Sequence, residues 1–245
     1  MIPNLNHHAF QNFPAAPSWA VFWRDFDNEN DADAFSGTAL NSGTLAVTTD
    51  RKHGWFRFSG AATTDNSGYQ YQADMETISL NLGKKVLAMF RCMLSETTST
   101  NGAAQSEVYC GLAITDITLL DGTGTLAGGL THTDSIGIYK PDGEATCYGV
   151  IVRDSVRVGT VGPFPTSFVD DVAMEFAIEV VMDSVTAGKG IVTFYQNGAV
   201  VGQLESTTLP YDSEEILTPS FAYNTGDNTG TKFCDLDYIG VAQER

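Results

Sequence analysis

Positive charge is scarce in this chain: 13 lysines and arginines stand against 30 aspartates and glutamates, a formal net charge of −17 over 245 residues. Such a surface repels a phosphate backbone or an anionic membrane unless a local basic patch reverses the field. The nearest approach to a patch, Arg51-Lys52-His53 followed by Arg57, reads as a polar turn before a strand, so neither nucleic acid nor membrane is expected as a partner. Histidine is also rare, at His7, His8, His53 and His132. No Gly-x-Ser-x-Gly elbow and no glycine-rich phosphate loop accompanies them, so acyl and phosphoryl transfer lack their basic parts. His7 and His8 are a poor metal pair, because adjacent residues of an extended chain point to opposite sides.

Long apolar runs are missing too. No segment approaches the ~18 consecutive apolar residues of a membrane helix, and Met1 to His8 has no basic stretch leading into an apolar one, as an export signal would. Synthesis and folding in the cytosol are therefore expected. Cys92, Cys110, Cys147 and Cys234 form no C-x-x-C pair, which leaves buried free thiols rather than a zinc site as the expectation. There is no Asn-x-Ser/Thr sequon.

What is present is a strand-forming sequence. The hydrophobic fraction of 42% and aromatic fraction of 11% are those of a chain that folds a core. Residues 1–18 carry Pro3, Pro14 and Pro17, which defeat both helix and ladder, so they read as an extended arm that docks through Phe10 and Phe13. From residue 19 to 245 short apolar runs recur without a convincing helical period: 19–26, 44–48, 54–59, 69–72, 77–82, 86–94, 107–115, 135–140, 147–153, 173–182, 191–196, 199–205, 217–222 and 232–242. Asn197-Gly198 between two of them predicts a type I′ hairpin, and Lys140-Pro141-Asp142-Gly143 a second turn.

Within 173–182, Met174, Phe176, Ile178, Val180 and Met182 fall on one face and Glu175 and Glu179 on the other. One buried and one solvated face belong to antiparallel sandwiches. About a dozen such strands predict one all-β domain over 19–245, two packed antiparallel sheets of roughly six strands each.

Candidate chemistry is thin. Glu175 with Glu179, and Asp235 with Asp237, are the nearest paired carboxylates, but a solvated strand face accounts for the first pair and the Glu-x-Asp-x-x-Glu motif of retaining jelly-roll glucanases is absent. No catalytic residue, cofactor or metal site is assigned. A structural calcium ion stays open at Asp121, Asp227-Asn228 and Asp235-Leu236-Asp237, which supply hard oxygens without EF-hand spacing. Tyr69 and Tyr71 share a strand face and could stack a sugar ring, with core packing as the competing fate. The loops 95–106, 121–133 and 224–231 are further places where binding could reside.

Residues 135–143, the turn at Asn197-Gly198, Leu217-Thr218-Pro219-Ser220-Phe221 and the ending Asp235 to Arg245 resemble virion proteins of tailed phages that carry concanavalin A-like or laminin G-like jelly rolls. The resemblance covers about 135–245. It implies a concanavalin A-like jelly roll and a non-enzymatic structural component of the virion, a capsid decoration or a head or tail fibre-like protein. Its partners would be other virion proteins, the major capsid or tail protein among them, and further copies of itself, a trimer being favoured. The alternative is a carbohydrate-binding, lectin-like module that attaches to a surface glycan.

Overall fold

The computed structural model describes residues 19–25, 35–48, 55–61, 64–73, 78–96, 105–115, 118–120, 130, 134–211, 216–226 and 232–245. The arm at 1–18 with Phe10 and Phe13, all four histidines, Asp121 and Asp227-Asn228 lie outside these residues.

Among the described residues, fifteen strands make two antiparallel sheets, and the fold is the all-β jelly-roll sandwich. They are β1 (Trp19–Asp25), β2 (Phe35–Leu40), β3 (Thr44–Thr48), β4 (Trp55–Ser59), β5 (Gly68–Ala73), β6 (Lys85–Glu96), β7 (Ser106–Ala113), β8 (Ser135–Lys140), β9 (Tyr148–Arg153), β10 (Val156–Val161), β11 (Ala173–Met182), β12 (Gly190–Gln196), β13 (Ala199–Ser206), β14 (Thr218–Thr225) and β15 (Lys232–Glu244). The eight-stranded sheet runs β13-β12-β11-β6-β15-β4-β3, with β1 beside the C-terminal half of β15. The seven-stranded sheet runs β10-β9-β8-β7-β14-β5-β2.

Period-2 alternation fixes which face meets the other sheet, since a one-residue slip would turn every apolar side chain outward. Val86, Ala88, Phe90, Cys92 and Leu94 of β6 are buried beside Met174, Phe176, Ile178, Val180 and Met182 of β11. From the facing sheet come Val108, Cys110 and Leu112 of β7, Ile136 and Ile138 of β8, and Phe221 of β14. Phe58 is fully buried, its ring 4.8 Å from that of Phe221 and edge-on to Tyr71 at 6.0 Å. All four cysteines are free and buried in this structure. Burial pushes the Cys110, Cys147 and Cys234 thiols up, away from the reactive thiolate.

Asn197 and Gly198 both adopt positive φ, 50° and 79°, and join β12 to β13 as a type I′ turn requires. Two strands escaped the sequence reading for a related reason. The turn into β10 is made by Asp154 and Ser155 at φ 51° and 59°, and that out of β2 by Asn41 and Ser42 at 43° and 73°. Non-glycine residues occupy left-handed backbone in both, so the usual composition signal is missing. Conversely, the described part of the 77–82 run, 78–82, is no strand: Ile78 makes an isolated bridge to Leu217 and Leu80 is simply buried. Where the two sheets' edges meet at β10 and β13, Gly159 and Gly202 carry no side chain, and Leu204 and Val161 occupy the space a Cβ would need.

Candidate functional site

On the outer face of the seven-stranded sheet, pairing aligns three tyrosines in one row across neighbouring strands: Tyr109 of β7 opposite Tyr139 of β8, and Tyr139 opposite Tyr148 of β9. Such directly opposed side chains lie about 4.5–5.5 Å apart at Cβ. Gly137 makes room for the Tyr109 ring, which lies where its Cβ would be, Gly111 lets the β8 backbone and the Tyr109 hydroxyl come close, and that hydroxyl donates to the Leu112 carbonyl at 3.0 Å. Tyr139 donates to Glu107 Oε1. Both rings are fully buried, because Leu119 and Leu120, with Leu130 at their flank, pack over them together with Val150 and Ala222. That cover is pinned by polar groups of the sheet: Gln70 Oε1 accepts from the Leu119 amide at 2.8 Å, and Gln72 donates to the Ile114 carbonyl at 3.1 Å.

Tyr148 is the open end of the row. It is only partly buried, and its hydroxyl donates to Glu144 Oε2 at 2.7 Å, which pushes the phenol's pKa upward and orients the ring. Gly162 lets the ring lie close to backbone, since a Cβ there would sit 2.8 Å from Tyr148 Cδ1. Beyond Val150 on the same face of β9 comes Val152, and opposite it on β10 is Arg157. Val158 is bulged out of the ladder next to Arg157 and Thr160 is exposed. The Arg157 Nε is buried and makes no hydrogen bond. Desolvation lowers the guanidinium's pKa, with the nearby Tyr139 opposing the shift.

The structure puts the sequence-derived candidates elsewhere. Tyr69 and Tyr71 do share a face of β5, but it is the inner one. Tyr71 is 1% exposed among Phe56, Phe58 and Phe221, and Tyr69 is partly buried edge-on to Phe58, so Tyr71 is a core residue and not a sugar platform. The burial has a plain cause: β5 sits within the sheet between β14 and β2, and its odd-numbered residues meet the opposite layer.

The carboxylate pairs meet on the outer face of the eight-stranded sheet, where alternation puts Asp235 and Asp237 on one side and a bulge at Asp237 brings Tyr238 to it as well. Arg57 grips Asp235 with two bonds of 2.8 and 2.9 Å and stacks 3.7 Å from the Phe233 ring centroid. Arg91 binds Asp237 at 2.7 Å and lies 5.6 Å from Trp55. Glu175, Arg91 and Tyr238 stand in one row across β11, β6 and β15, while Glu179 accepts from Tyr195 at 3.0 Å. Burial raises the Glu175 pKa, and the neighbouring Tyr238 hydroxyl and the Arg91 charge pull the other way. Asp235 and Asp237 as a calcium pair is thus corrected: arginines already neutralise both. Glu175 and Glu179 are not a bare solvated pair: both are half-buried, and Glu179 is hydrogen-bonded. Among the described residues, no three His, Cys, Asp or Glu side chains are grouped to hold a metal.

The tyrosine row and Arg157 were the residues sequence reasoning missed. Each tyrosine is visible in its strand, but only pairing of β7, β8 and β9 lines them up, and Arg157 lies on the strand that went unrecognised.

No family profile and no curated protein matches the chain by sequence. Its fold is shared with many solved structures. Endo-1,3-beta-glucanase from Streptomyces sioyaensis aligns at 10% identity over 93% of this chain and 97% of its own, with a TM-score of 0.63. Peanut lectin aligns at 15% identity over 92% and 97%, with a TM-score of 0.60. A carbohydrate esterase of the Shiga toxin-encoding bacteriophage phi24B aligns at 14% identity over 92% and 100%, with a TM-score of 0.52. Catalysts and lectins therefore share this architecture with the chain, and at these identities the likeness is one of fold.

Proposed function

We propose that this protein is a lectin-like module that attaches to a glycan, which it engages on the outer face of β8–β10 with Tyr148 as the stacking residue. The observation that carries this is the tyrosine row: two members rigid and buried, the third partly exposed at the margin, its ring held by Glu144 and backed by Gly162. A preorganised aromatic ring with a polar tip offers a pyranose both an apolar surface and hydrogen bonds at small entropic cost. The kinship of fold with a lectin and with glycan-active enzymes supports the ligand class. Attachment is favoured over turnover because Asp235, Asp237 and Glu179 are held by Arg57, Arg91 and Tyr195, which leaves Glu175 no second free carboxylate among the described residues of that face.

The test is a glycan array followed by calorimetry on the best binder, with a reducing-sugar assay alongside. Tyr148→Ala is expected to weaken binding at least about tenfold, with no sugar released by either protein. Binding indifferent to Tyr148→Ala, or release of reducing ends, would overturn the proposal.

The likeness of residues 135–245 to virion proteins supports placing this module on a tailed-phage particle, where capsid or tail proteins and a homotrimer would be its partners and a surface glycan its target. Light scattering on the chain with and without residues 1–18 tests that setting: a closed oligomer altered by the deletion is expected, and a monomer indifferent to it speaks against the setting.

A further inference from the structure

We infer that the glycan bound at this face carries an anionic substituent, a carboxylate or a sulfate, which Arg157 receives. The inference rests on the proposed glycan-binding role and names the chemistry that role leaves open.

Arg157 is anomalous in this protein. Acidic side chains outnumber basic ones by 30 to 13, so a partner is easily come by. Arg57 and Arg91 each hold an aspartate at 2.8 and 2.7 Å, and Arg153 approaches Asp154 at 3.7 Å. Among the described residues Arg157, half-buried, has no ion pair, and its Nε is buried without a hydrogen bond; the Arg153 Nε also lacks a hydrogen bond but has Asp154 beside it. Leaving a charge partly desolvated and unpaired costs stability, and such groups are otherwise paired or held for a ligand. Glu107, the carboxylate on the same face, is taken up with the Tyr139 hydroxyl.

Position fits the purpose. Arg157 stands opposite Val152, four residues along β9 from Tyr148 and on the same face. That separation is roughly 13 Å at ~3.3 Å per residue, part of which an arginine side chain can span. The remaining interval suits one or two pyranose units, one resting on Tyr148 and its acidic group meeting the guanidinium. The fork of an arginine matches the two oxygens of a carboxylate or sulfate in a way a lysine cannot. Thr160, exposed on β10 opposite Val150, adds one hydroxyl beside this interval.

Three short oligosaccharides of equal length, one neutral, one of uronic acids and one sulfated, would be titrated into the full chain by calorimetry at about 0.15 M ionic strength. There the net negative charge is screened beyond about 8 Å. An acidic oligosaccharide is expected to bind at least about tenfold tighter than the neutral one. Arg157→Gln should erase that preference, weakening the acidic ligand about 10- to 100-fold and the neutral one less than about twofold. Arg157→Lys should recover only part of the loss. Whichever of the uronic and sulfated ligands binds tighter identifies the anion. Thermal melting supplies the readout that separates a ligand-holding arginine from a structural one: Arg157→Gln should melt no lower than the parent. Equal affinities for acidic and neutral ligands, an unchanged preference in Arg157→Gln, or a melting point lowered by several degrees would overturn the inference while leaving glycan binding intact. Failure of every oligosaccharide to bind would overturn both.

Discussion

Splitting the Arg57–Asp235 pair should cost more than removing it whole. The Asp235 side chain is wholly inaccessible, that of Arg57 is 24% exposed, and the two meet through parallel bonds of 2.8 and 2.9 Å. Two unit charges about 4 Å apart attract by about 4 kcal/mol at an effective dielectric of 20. Arg57→Ala strands a buried carboxylate and should lose about 3–5 kcal/mol. Asp235→Ala should lose less, about 2–3 kcal/mol, because the freed guanidinium keeps its place over Phe233 and gains access to water. The double replacement Arg57→Met with Asp235→Leu should lie within about 1–2 kcal/mol of the parent, since an apolar pair needs no desolvation of charge. In a chain of this length a 3 kcal/mol loss lowers Tm by roughly 6–12 °C. Urea unfolding of the parent, Arg57→Ala, Asp235→Ala and the double alanine variant gives the coupling energy, provided the slope with denaturant stays constant. Coupling of about 2–4 kcal/mol is expected. Single losses that simply add would refute the assignment of this pair as the clasp between β4 and β15.

The folded Glu175 carboxyl has a pKa above its unfolded value, chiefly from burial, so what it contributes is complete below the unfolded pKa and declines as pH rises through the folded one. Glu175→Gln should accordingly gain stability relative to the parent between about pH 4 and about pH 7; urea midpoints at the two pH values check this, and a relative loss over that interval would contradict it. Two glycine-to-alanine changes should differ in size. A Cβ at Gly43 would sit 1.7 Å from the Gly68 carbonyl oxygen, so backbone must move, at about 3 kcal/mol or more. At Gly198 nothing lies within 4 Å and only the left-handed φ of 79° is penalised, by about 1–2 kcal/mol; similar losses at the two sites would show that the approach of β3 to β5 is looser than described.

The class of fold is legible in the order of residues. Alternation in 86–94 and 173–182 specified one buried face per strand, and a strand has only two faces to choose between. Asn197-Gly198 specified a hairpin because few dipeptides tolerate two left-handed residues in succession. The same local logic failed where Asp154-Ser155 and Asn41-Ser42 take left-handed backbone without glycine, and it lost β10 and β2 there. Tertiary structure alone decided which face of β5 Tyr69 and Tyr71 occupy, because a strand's alternation does not say which side the second sheet lies on. It also decided the row of Tyr109, Tyr139 and Tyr148 and the solitary position of Arg157. Those depend on register between strands up to some forty residues apart, and register is a property of the paired sheet rather than of any one segment.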